Sequence, residues 1–576
     1  MRLSIVTSTN AKQFYAIKSY TNEANKRTSK IVEKLGNELE VLKKSNGKDP
    51  IEWAKEYIRN LNEEVKLGTA NILINKSPIT LIEKNHQNSF NGGYLFLEKI
   101  YHELKLDKIC KIISDKYKFE FDLHSILSRL IYGRIIFPAS KLATQALSKR
   151  FIEQPNFELH HIYRALEVIS KENDLIQSEL YQNSLKISNR NTSILYYDCT
   201  NYFFEIEDEE GLKQYGKSKE NRPSPIVQMG LFMDGDGIPL AFNITAGNTN
   251  EQIAMTPLEQ KILDDFKLSR FIVCTDAGLA SNANRKFNDK DNRAFITTQS
   301  IKKLKKYLMD WALSVDGWKL TDDNKIYNIS ELDKNGKLEN NFKDKTFYKE
   351  RWINENDLEQ KLIVTYSIKY RDYQRQIRNS QIERATKAIT AGSIKIKKCN
   401  PNDYKRFIKK TTITKDGEIA QNEIYSIDNN TIKKEEMFDG FYAVCTNLED
   451  EAVEIIKINH RRWEIEESFR IMKSEFKARP VYLKRDDRIT AHFTTCFLAL
   501  VIHRFLEKRL DGKFTSIKII QELRDMNFLK CVGDGYIPIY TRTDLTDCLH
   551  EKFGFRTDYQ INTTKQIKNI LKEIKK

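Results

Sequence analysis

The stretch that decides the fold of this 576-residue chain reads Ile194-Leu195-Tyr196-Tyr197-Asp198-Cys199-Thr200. Its apolar and aromatic residues are typical of a buried strand, and Asp198 is the one acidic residue within it. A second stretch has the same character and ends in an acid, Phe271-Ile272-Val273-Cys274-Thr275-Asp276. Because carboxylates are rarely buried without a partner or a function, Asp198 and Asp276 are the first candidates for functional side chains.

The segments between these two acids predict the topology. Val227–Thr245 contains two apolar runs joined by Asp234-Gly235-Asp236-Gly237, which is a strong hairpin signal. A helical pattern follows at about Ile253–Phe266. The order is a strand with Asp198, a hairpin, a helix and a strand with Asp276, which is the order of the ribonuclease-H-like fold. The first and fourth strands are neighbours in that fold, so acids 78 positions apart (276 minus 198) can meet at one edge of the sheet.

A helical segment later in the chain carries a third candidate acid. A turn of about 100° per residue puts a charged stripe on one face and an apolar stripe about a quarter turn away. The charged stripe consists of Arg462, Glu466, Arg470, Lys473 and Lys477, and the apolar stripe of Ile465, Phe469, Met472 and Phe476. The apolar stripe can dock on a sheet while the charged stripe faces a cleft. Glu466 is the preferred third acid, because Glu464 and Glu467 point away from the charged stripe.

Three carboxylates with basic neighbours suit metal-dependent phosphodiester chemistry. Mg²⁺ prefers oxygen ligands and is usually held by a few carboxylates together with water and substrate phosphate. Two such ions, roughly 3.5–4 Å apart, can activate an attacking oxygen and stabilise a leaving one. Arg462 can bind phosphate through two parallel hydrogen bonds, and Lys473 can contact it as a point charge. We therefore expect a nucleic-acid substrate and Mg²⁺, or Mn²⁺, held by Asp198, Asp276 and Glu466.

At these residues the chain resembles the insertion-sequence DDE transposases that carry a Tyr-x2-Arg-x3-Glu-x6-Lys signature around the third acid. Arg462, Glu466 and Lys473 match the signature in type and spacing, and Asn459 occupies its Tyr position. The resemblance covers most of Ser193–Leu506. Other stretches that match are Asp198-Cys199-Thr200, Gly216-Lys217-Ser218-Lys219, Gly237-Ile238-Pro239-Leu240, Gly247-Asn248-Thr249, Thr275-Asp276-Ala277-Gly278 and Arg479-Pro480-Val481-Tyr482.

The resemblance implies a DNA transposase that cuts the ends of its element with a divalent metal and joins the freed 3′-hydroxyl to target DNA. It implies Asp198, Asp276 and Glu466 as catalytic residues and metal ligands. The residues it implies for DNA or phosphate binding are Arg462, Lys473, Arg470, Asn459 and Lys219. It further implies recognition of inverted repeats in double-stranded DNA by a homodimer or a higher multimer.

Other interpretations stay open on the sequence. A structure-specific DNA nuclease would use the same acids without strand transfer, and a catalytically silent regulator would only bind DNA. Taken singly, Asp198 can be a capping or hydrogen-bonded residue, Asp276 an N-cap, and Glu466 the partner of Arg462 in an i, i+4 ion pair. The interval of 190 positions between the second and third acids (466 minus 276) favours the transposase.

The composition favours a polyanionic partner. Lys and Arg number 95 against 80 Asp and Glu, which gives a net charge of +15. Basic residues that neutralise phosphates release counterions, although basic proteins also bind membranes or ribosomes. No targeting or membrane segment is visible, and eight scattered cysteines without a Cys-x-x-Cys pair are typical of reduced thiols. We expect a cytoplasmic, nucleoid-associated protein of bacterial type with no membrane partner.

The patterns predict an α/β protein with six regions. These are an N-terminal α/β module at 1–85, a helical domain at 86–190, the first part of the ribonuclease-H-like core at 191–301, a β-rich insertion domain at 302–449, the last part of the core at 450–506 and a C-terminal helical region at 507–576. The N-terminal module is expected either to recognise DNA ends or to extend the packing of the core. The basic stretch Ser140–Arg150 is expected either to line a DNA groove or to form a solvated helix face.

The insertion between the second and third acids is predicted in more detail. Strands are expected at Lys361–Tyr366, Tyr404–Ile413, Glu423–Ile427 and Phe441–Thr446, and turns at Asp333–Gly336 and Lys415–Gly417. Basic residues interleaved with Tyr404 and Phe407 fit either DNA contact or an ordinary exposed strand. These basic residues are Lys395, Lys397, Lys398, Lys405, Arg406, Lys409 and Lys410.

Overall fold

The computed structural model describes residues 1–8, 11–21, 26–67, 79, 81–332, 342–392, 403–413, 422–531 and 535–576. The chain divides into two compact units. The first consists of Met1–Ile187, Ile471–Ala478 and Asp487–Lys576, and the second of Ser188–Arg470 and Arg479–Asp486. The turns predicted at Asp333–Gly336 and Lys415–Gly417, together with Lys395, Lys397 and Lys398, lie outside the described residues.

The described residues form both strands and helices, with a run of six consecutive helices between β4 and β5. The strands in chain order are β1 (Arg2–Ser8), β2 (Ala11–Thr21), β3 (Arg27–Asn37), β4 (Ser89–Asn91), β5 (Ile194–Phe203), β6 (Ile226–Asp234), β7 (Pro239–Ala246), β8 (Arg270–Thr275), β9 (Asn292–Thr298), β10 (Trp318–Leu320), β11 (Asp323–Tyr327), β12 (Phe347–Glu355), β13 (Leu358–Tyr366), β14 (Ile408–Ile413), β15 (Asn422–Ile427), β16 (Phe441–Thr446), β17 (Asn527–Cys531), β18 (Gly535–Pro538) and β19 (Asn562–Thr563). The helices are Glu38–Lys44, Pro50–Leu67, Tyr94–Glu103, Leu106–Tyr117, Leu123–Ile136, Lys141–Ser148, Leu159–Lys171, Asn173–Ile187, Glu251–Asp265, Asn282–Phe287, Lys306–Leu313, Ile368–Thr390, Asn429–Glu436, Ala452–His460, Trp463–Ser474, Asp486–Arg509, Ser516–Asp525, Asp544–Phe553 and Thr564–Ile574.

The first unit begins with an antiparallel sheet in the order β1-β2-β3, followed by two helices. Alternate residues of β2, Phe14 and Ala16, point into a small core that also contains Val41 and Ile58. Asn37 caps the first helix, because its side chain accepts a hydrogen bond from the backbone N–H of Glu40 at 2.8 Å. The α/β pattern predicted for the start of the chain is confirmed.

The helical part of the first unit differs from expectation at one basic stretch. The helix Lys141–Ser148 buries Lys141, Thr144 and Ser148. Burial lowers the pKa of Lys141 to about 7. Lys141 therefore belongs neither to a solvated face nor to a DNA groove.

The last region of the chain is more than the helical region that its sequence predicts. It supplies β17, β18 and β19 to a four-stranded sheet in the order β19-β18-β17-β4. The fourth partner, β4, comes from residues more than 400 positions earlier, since Phe528 pairs with Phe90 (528 minus 90 is 438). Short strands of this kind are stable only with such a partner, which a local sequence pattern does not reveal.

The helix Asp486–Arg509 is long and apolar enough to cross a membrane by length and composition alone. It has 24 residues, and its most apolar window has a mean hydropathy of 1.4. Of that window, 89% is buried inside the protein, which is the environment of a core helix.

The second unit is organised around one mixed sheet. Its strands are hydrogen-bonded in the order β11-β10-β12-β13-β16-β9-β8-β5-β6-β7. β5 is parallel to β8, and β8 is parallel to β9, whereas β6 is antiparallel to both β5 and β7. The predicted hairpin is therefore β6-β7, and the strand with Asp198 lies beside the strand that leads to Asp276, as expected.

Of the strands that follow β9 in the second unit, β10 to β13 and β16 extend the same sheet, whereas β14 and β15 form a two-stranded sheet of their own. β16 pairs antiparallel with β9, and β13 pairs with β16. The strands predicted at Lys361–Tyr366 and Phe441–Thr446 are confirmed as parts of β13 and β16. Tyr404–Phe407 was expected to begin a strand but forms a 3-10 turn, because the Asp403 side chain accepts a hydrogen bond from the backbone N–H of Lys405.

A buried ion pair fixes the β6-β7 hairpin. The guanidinium of Arg190 donates to the carboxylate of Asp234 at 2.6 Å, and these side chains are 1% and 0% exposed. The same guanidinium donates to the carbonyls of Ile238 and Pro239, each at 3.1 Å. The other oxygen of Asp234 accepts hydrogen bonds from the backbone N–H groups of Asp236 and Ile238. The turn is thus held from both sides.

We predict that Arg190→Met lowers the free energy of unfolding by about 3–5 kcal/mol, because it leaves the Asp234 carboxylate buried without its cation. Arg270→Met, at the exposed start of β8, should change it by less than about 0.5 kcal/mol. Denaturant midpoints of the two variants and the wild type test this. Equal midpoints for the two variants would contradict the role given to the ion pair.

Candidate active site

Asp198 and Asp276 lie next to each other at the centre of the sheet of the second unit. The last paired residues of β5 and β8 are Tyr197 and Thr275, and each acid is the residue that follows. Since adjacent strands are about 4.8 Å apart, parallel register places the two backbones side by side at the acids. β8 ends at this point, where the Asp276 carboxylate accepts a hydrogen bond from the backbone N–H of Ala277 at 2.5 Å.

Burial dominates the electrostatics of Asp198, and two nearby cations oppose its effect only in part. Burial raises the pKa of Asp198 to about 6, and the neighbouring Asp276 acts in the same direction. Lys219 and Arg462 oppose this rise, as does the backbone N–H of Cys199, which donates to the carboxylate at 2.8 Å. The buried Asp198 carboxylate is therefore harder to ionise than an exposed one, and a further cation beside it would favour its charged form.

Arg462 connects this pair to the third candidate acid. It lies between the ends of the helices Ala452–His460 and Trp463–Ser474, and its side chain is 16% exposed. Burial acts to lower its pKa, but Tyr442, Asp276 and Glu466 together raise the pKa above its usual value. Its guanidinium lies 3.4 Å from the carboxylate of Glu466, which is 58% exposed. The Glu466 carboxylate is therefore both exposed to solvent and paired with the Arg462 guanidinium.

The residues present fit a divalent cation in part. Asp198 and Asp276 offer hard oxygen ligands at one point, as Mg²⁺ and Mn²⁺ prefer. Glu466 is engaged by Arg462 instead of converging on them. Within the residues that the structure describes, no group of three His, Cys, Asp or Glu side chains is arranged to hold a metal ion. Two of the three predicted ligands are thus preassembled, and the role of Glu466 stays a prediction.

The other predicted phosphate-binding residues have different surroundings. The ammonium of Lys219 donates to the carbonyl of Cys199 and lies 3.3 Å from the carboxylate of Glu251, beside Asp198. Arg470 is exposed and donates two hydrogen bonds, of 2.8 and 2.6 Å, to Glu467 of its own helix. That pairing explains why Arg470 is not held on the stripe of Arg462.

The two remaining positions of the signature lie in different units. The side-chain amide of Asn459 donates to the hydroxyl of Tyr442 at 3.3 Å, and its carbonyl accepts from the thiol of Cys274 at 3.7 Å. Lys473 lies in the part of its helix that belongs to the first unit. Asn459 is therefore part of the site of the second unit.

Two residues near the acids are absent from the sequence prediction. Glu251 stands in the first turn of the helix Glu251–Asp265 and holds Lys219, and its position just after the Gly247-Asn248-Thr249 stretch is a signal that could have indicated it. Tyr442 reaches Asn459 and Arg462 from β16, and no local pattern marks it.

A cleft of about 700 Å³ opens beside Arg462 within the second unit. One wall carries Asn459, Arg462 and Glu466, and the other carries Tyr373 and Tyr442. Its volume is in the range of sites that bind small ligands or parts of larger ones. Of the predicted charged stripe, Arg462 and Glu466 line this cleft.

We predict that Asp198→Asn stabilises the metal-free protein at pH 7.5 by about 1–3 kcal/mol, since the wild-type carboxylate must ionise in a buried place. The folded-state pKa of about 6 lies above the usual 3.8, so this gain should disappear as the pH falls below both values. Thermal melting in EDTA at pH 7.5 and pH 3.5 measures the difference. Asp265→Asn, on an exposed part of the helix Glu251–Asp265, is the control. A wild type more stable than Asp198→Asn at pH 7.5 would contradict the electrostatic account.

Comparisons with known proteins bear on this site. A family described as "Transposase DDE domain" matches residues 203–502, which contain Asp276 and Glu466 and begin just after Asp198. A cryo-EM structure of the piggyBac transposase synaptic complex with hairpin DNA is 7% identical, with 84% of each chain covered and a TM-score of 0.35. The Mos1 transposase paired-end complex with left transposon end is 14% identical over 41% of this chain and 64% of that chain, with a TM-score of 0.13.

These TM-scores are too low to establish a shared fold, and no curated protein matches the chain. The family match is more informative, because it spans 300 of 576 residues (502 minus 203 plus 1), more than half of the chain. Together with two neighbouring aspartates at the ends of paired parallel strands, it shows that the chain belongs to the transposase DDE domain family.

Proposed function

We propose that this protein is the DNA transposase of an insertion sequence, which cuts at the ends of its element and transfers the freed 3′-hydroxyl into target DNA. The observation that carries the proposal is the placement of Asp198 and Asp276 side by side in a chain of the DDE family. Two adjacent carboxylates, one of them with its pKa raised by burial, suit metal-dependent phosphodiester chemistry.

The catalytic core in this proposal is ribonuclease-H-like. The strand order β7-β6-β5-β8-β9, with β5, β8 and β9 parallel and β6 antiparallel to β5, supports it. The helix between β7 and β8 packs on β6 and β7. This arrangement places β5 beside β8 and so brings Asp198 and Asp276 together. Two carboxylates at one place are what a shared metal ion would require.

Asp198 and Asp276 would hold Mg²⁺ or Mn²⁺, with Glu466 as the third acid. The ion would supply a Lewis acid for hydrolysis and for strand transfer. Glu466 is exposed and ion-paired with Arg462, so a phosphate that binds Arg462 would compete for the guanidinium and free the carboxylate. The third acid would then join the site when DNA is present.

Arg462 and Lys219 would bind and orient the phosphate. The planar guanidinium of Arg462 always carries charge and can donate two parallel hydrogen bonds to phosphate oxygens. The Cys199 carbonyl and the Glu251 carboxylate hold the Lys219 ammonium beside Asp198. Lys219 would therefore present a fixed positive charge to the bound phosphate. Both cations would stabilise charge that develops on the phosphate oxygens.

The partners in this proposal are the inverted-repeat ends of the element and target DNA, both double-stranded, bound by a dimer or higher multimer in the cytoplasm. The net charge of +15 supports a polyanionic partner. A DNA nuclease without strand transfer and a silent DNA-binding regulator are the alternatives. The segment of 190 positions between Asp276 and Glu466 favours transposition over simple cleavage.

We predict that Asp198→Ala and Asp276→Ala each abolish Mg²⁺-dependent cleavage of DNA that carries the element's ends, because either change removes one of the two preassembled ligands. Binding to the same DNA in EDTA should stay within about threefold of the wild type, since neither residue supplies a positive charge. Gel assays with labelled ends measure both properties, and Asp265→Ala serves as the matched surface control.

Three outcomes of that experiment separate the alternatives. Cleavage followed by joining of the 3′-end to a second duplex supports the transposase. Cleavage without joining under every metal condition identifies a nuclease. Cleavage that persists in both variants would show that these acids are not the metal ligands.

A further inference from the structure

The hydroxyl of Tyr442 lies among the groups proposed to bind phosphate. Tyr442 stands in β16, where it pairs with Thr365 of β13, and its side chain is half-buried. Its hydroxyl lies 2.6 Å from the hydroxyl of Thr298 and 3.3 Å from the side-chain amide of Asn459. After the opposing effect of burial, Tyr442 is the largest influence on the pKa of Arg462. The phenol is therefore a neighbour of the Arg462 guanidinium.

Tyr442 also separates two cavities that flank the candidate acids. The cleft of about 700 Å³ is lined by Tyr442 together with Arg462 and Glu466. A second cavity of about 390 Å³ is lined by Tyr442 together with Thr298 and by Ala277, the residue after Asp276. Tyr442 thus lines both the cavity that reaches the residue after the second acid and the cleft that contains the third acid.

One arrangement of the hydrogen bonds around the phenol leaves its hydrogen free to donate to an anion. A tyrosine hydroxyl has one donor hydrogen and can accept from others. The Asn459 amide can only donate to it, and the Thr298 hydroxyl can donate as well. When both donate, the phenol hydrogen can point at an anion, and the two incoming hydrogen bonds strengthen it as a donor.

We propose that Tyr442 donates a hydrogen bond to a phosphate oxygen of the DNA strand bound at Arg462, and that Asn459 orients it. This inference rests on the proposed function. It explains how the chain can carry Asn459 at the position where the related signature has a tyrosine: the hydroxyl comes from a neighbouring strand of the sheet. The site thereby keeps an aromatic hydroxyl beside its arginine.

Tyr442→Phe tests the proposal, because it removes one oxygen and keeps the ring. Hydrogen bonds to charged groups contribute about 1.5–3 kcal/mol, so single-turnover cleavage should fall about 10- to 150-fold. The affinity for Mn²⁺ in the absence of DNA should not change, since the hydroxyl is no metal ligand. Tyr307→Phe, which removes the same oxygen from an exposed ring on the helix Lys306–Leu313 and outside the cleft, is the matched control and should retain wild-type cleavage.

A chemical double-mutant cycle distinguishes a phosphate contact from a structural role. Neutral methylphosphonate is placed in turn at each phosphate around the cleavage position, and wild type is compared with Tyr442→Phe. If Tyr442 contacts one of these phosphates, the loss from the variant and the loss from that modification will be clearly less than additive. Wild-type cleavage by Tyr442→Phe, or additive losses at every phosphate, would overturn the inference.

A rescue variant gives an independent reading. The cleft beside Asn459 has room for a larger side chain. The double variant Asn459→Tyr with Tyr442→Phe should therefore cleave DNA about tenfold faster than Tyr442→Phe alone. Absence of rescue, combined with additive losses, counts against the contact. Asp276→Ala keeps the two questions separate: an inactive Asp276→Ala with a fully active Tyr442→Phe refutes this inference alone, whereas an active Asp276→Ala refutes the proposed function.

Discussion

The parallel pairing of β5 with β8 is the constraint on which the second unit depends. It forces two carboxylates together in a partly buried place, and their repulsion is opposed by nearby cations that come from outside the two strands. Lys219 arrives on the loop before β6, and Arg462 arrives between two helices. The order of the strands therefore determines where the two acids meet, and Lys219 and Arg462 bring positive charge to that place.

Arg462 reaches this place because the two helices around it are fixed to the sheet. The hydroxyl of Tyr196, two residues before Asp198, donates to the carbonyl of Ile458 at 2.9 Å. On the next helix Ile465 and Phe469 are buried. The helix that carries the third acid is thus positioned by its own apolar packing, and the helix before it by a hydrogen bond from the strand of the first acid. The distance between the acids therefore depends on packing at residues outside the site.

Much of this arrangement could be predicted because it depends on patterns among residues that are neighbours in the sequence. The two apolar runs with terminal acids, the Asp-Gly-Asp-Gly turn and the helical stripe all involve neighbours in sequence, and the structure contains each of them. What could not be predicted depends on contacts between distant residues. Tyr442, for example, lies 166 positions after Asp276 (442 minus 276) and contacts Asn459 from another part of the sheet. The sheet of β17 to β19 needs β4 from the start of the chain.

The junction of β9 with β16 has a consequence for how the insertion is interpreted. The strands β16, β13, β12, β10 and β11 continue the hydrogen-bonded ladder of β9, so β9 is an interior strand with partners on both sides. Removing residues 302–449 would turn it into a bare sheet edge, which is prone to pair with other chains. A shortened protein that aggregates or loses activity would therefore report a damaged core, and point changes on the outer strands are the safer way to ask what the insertion contributes.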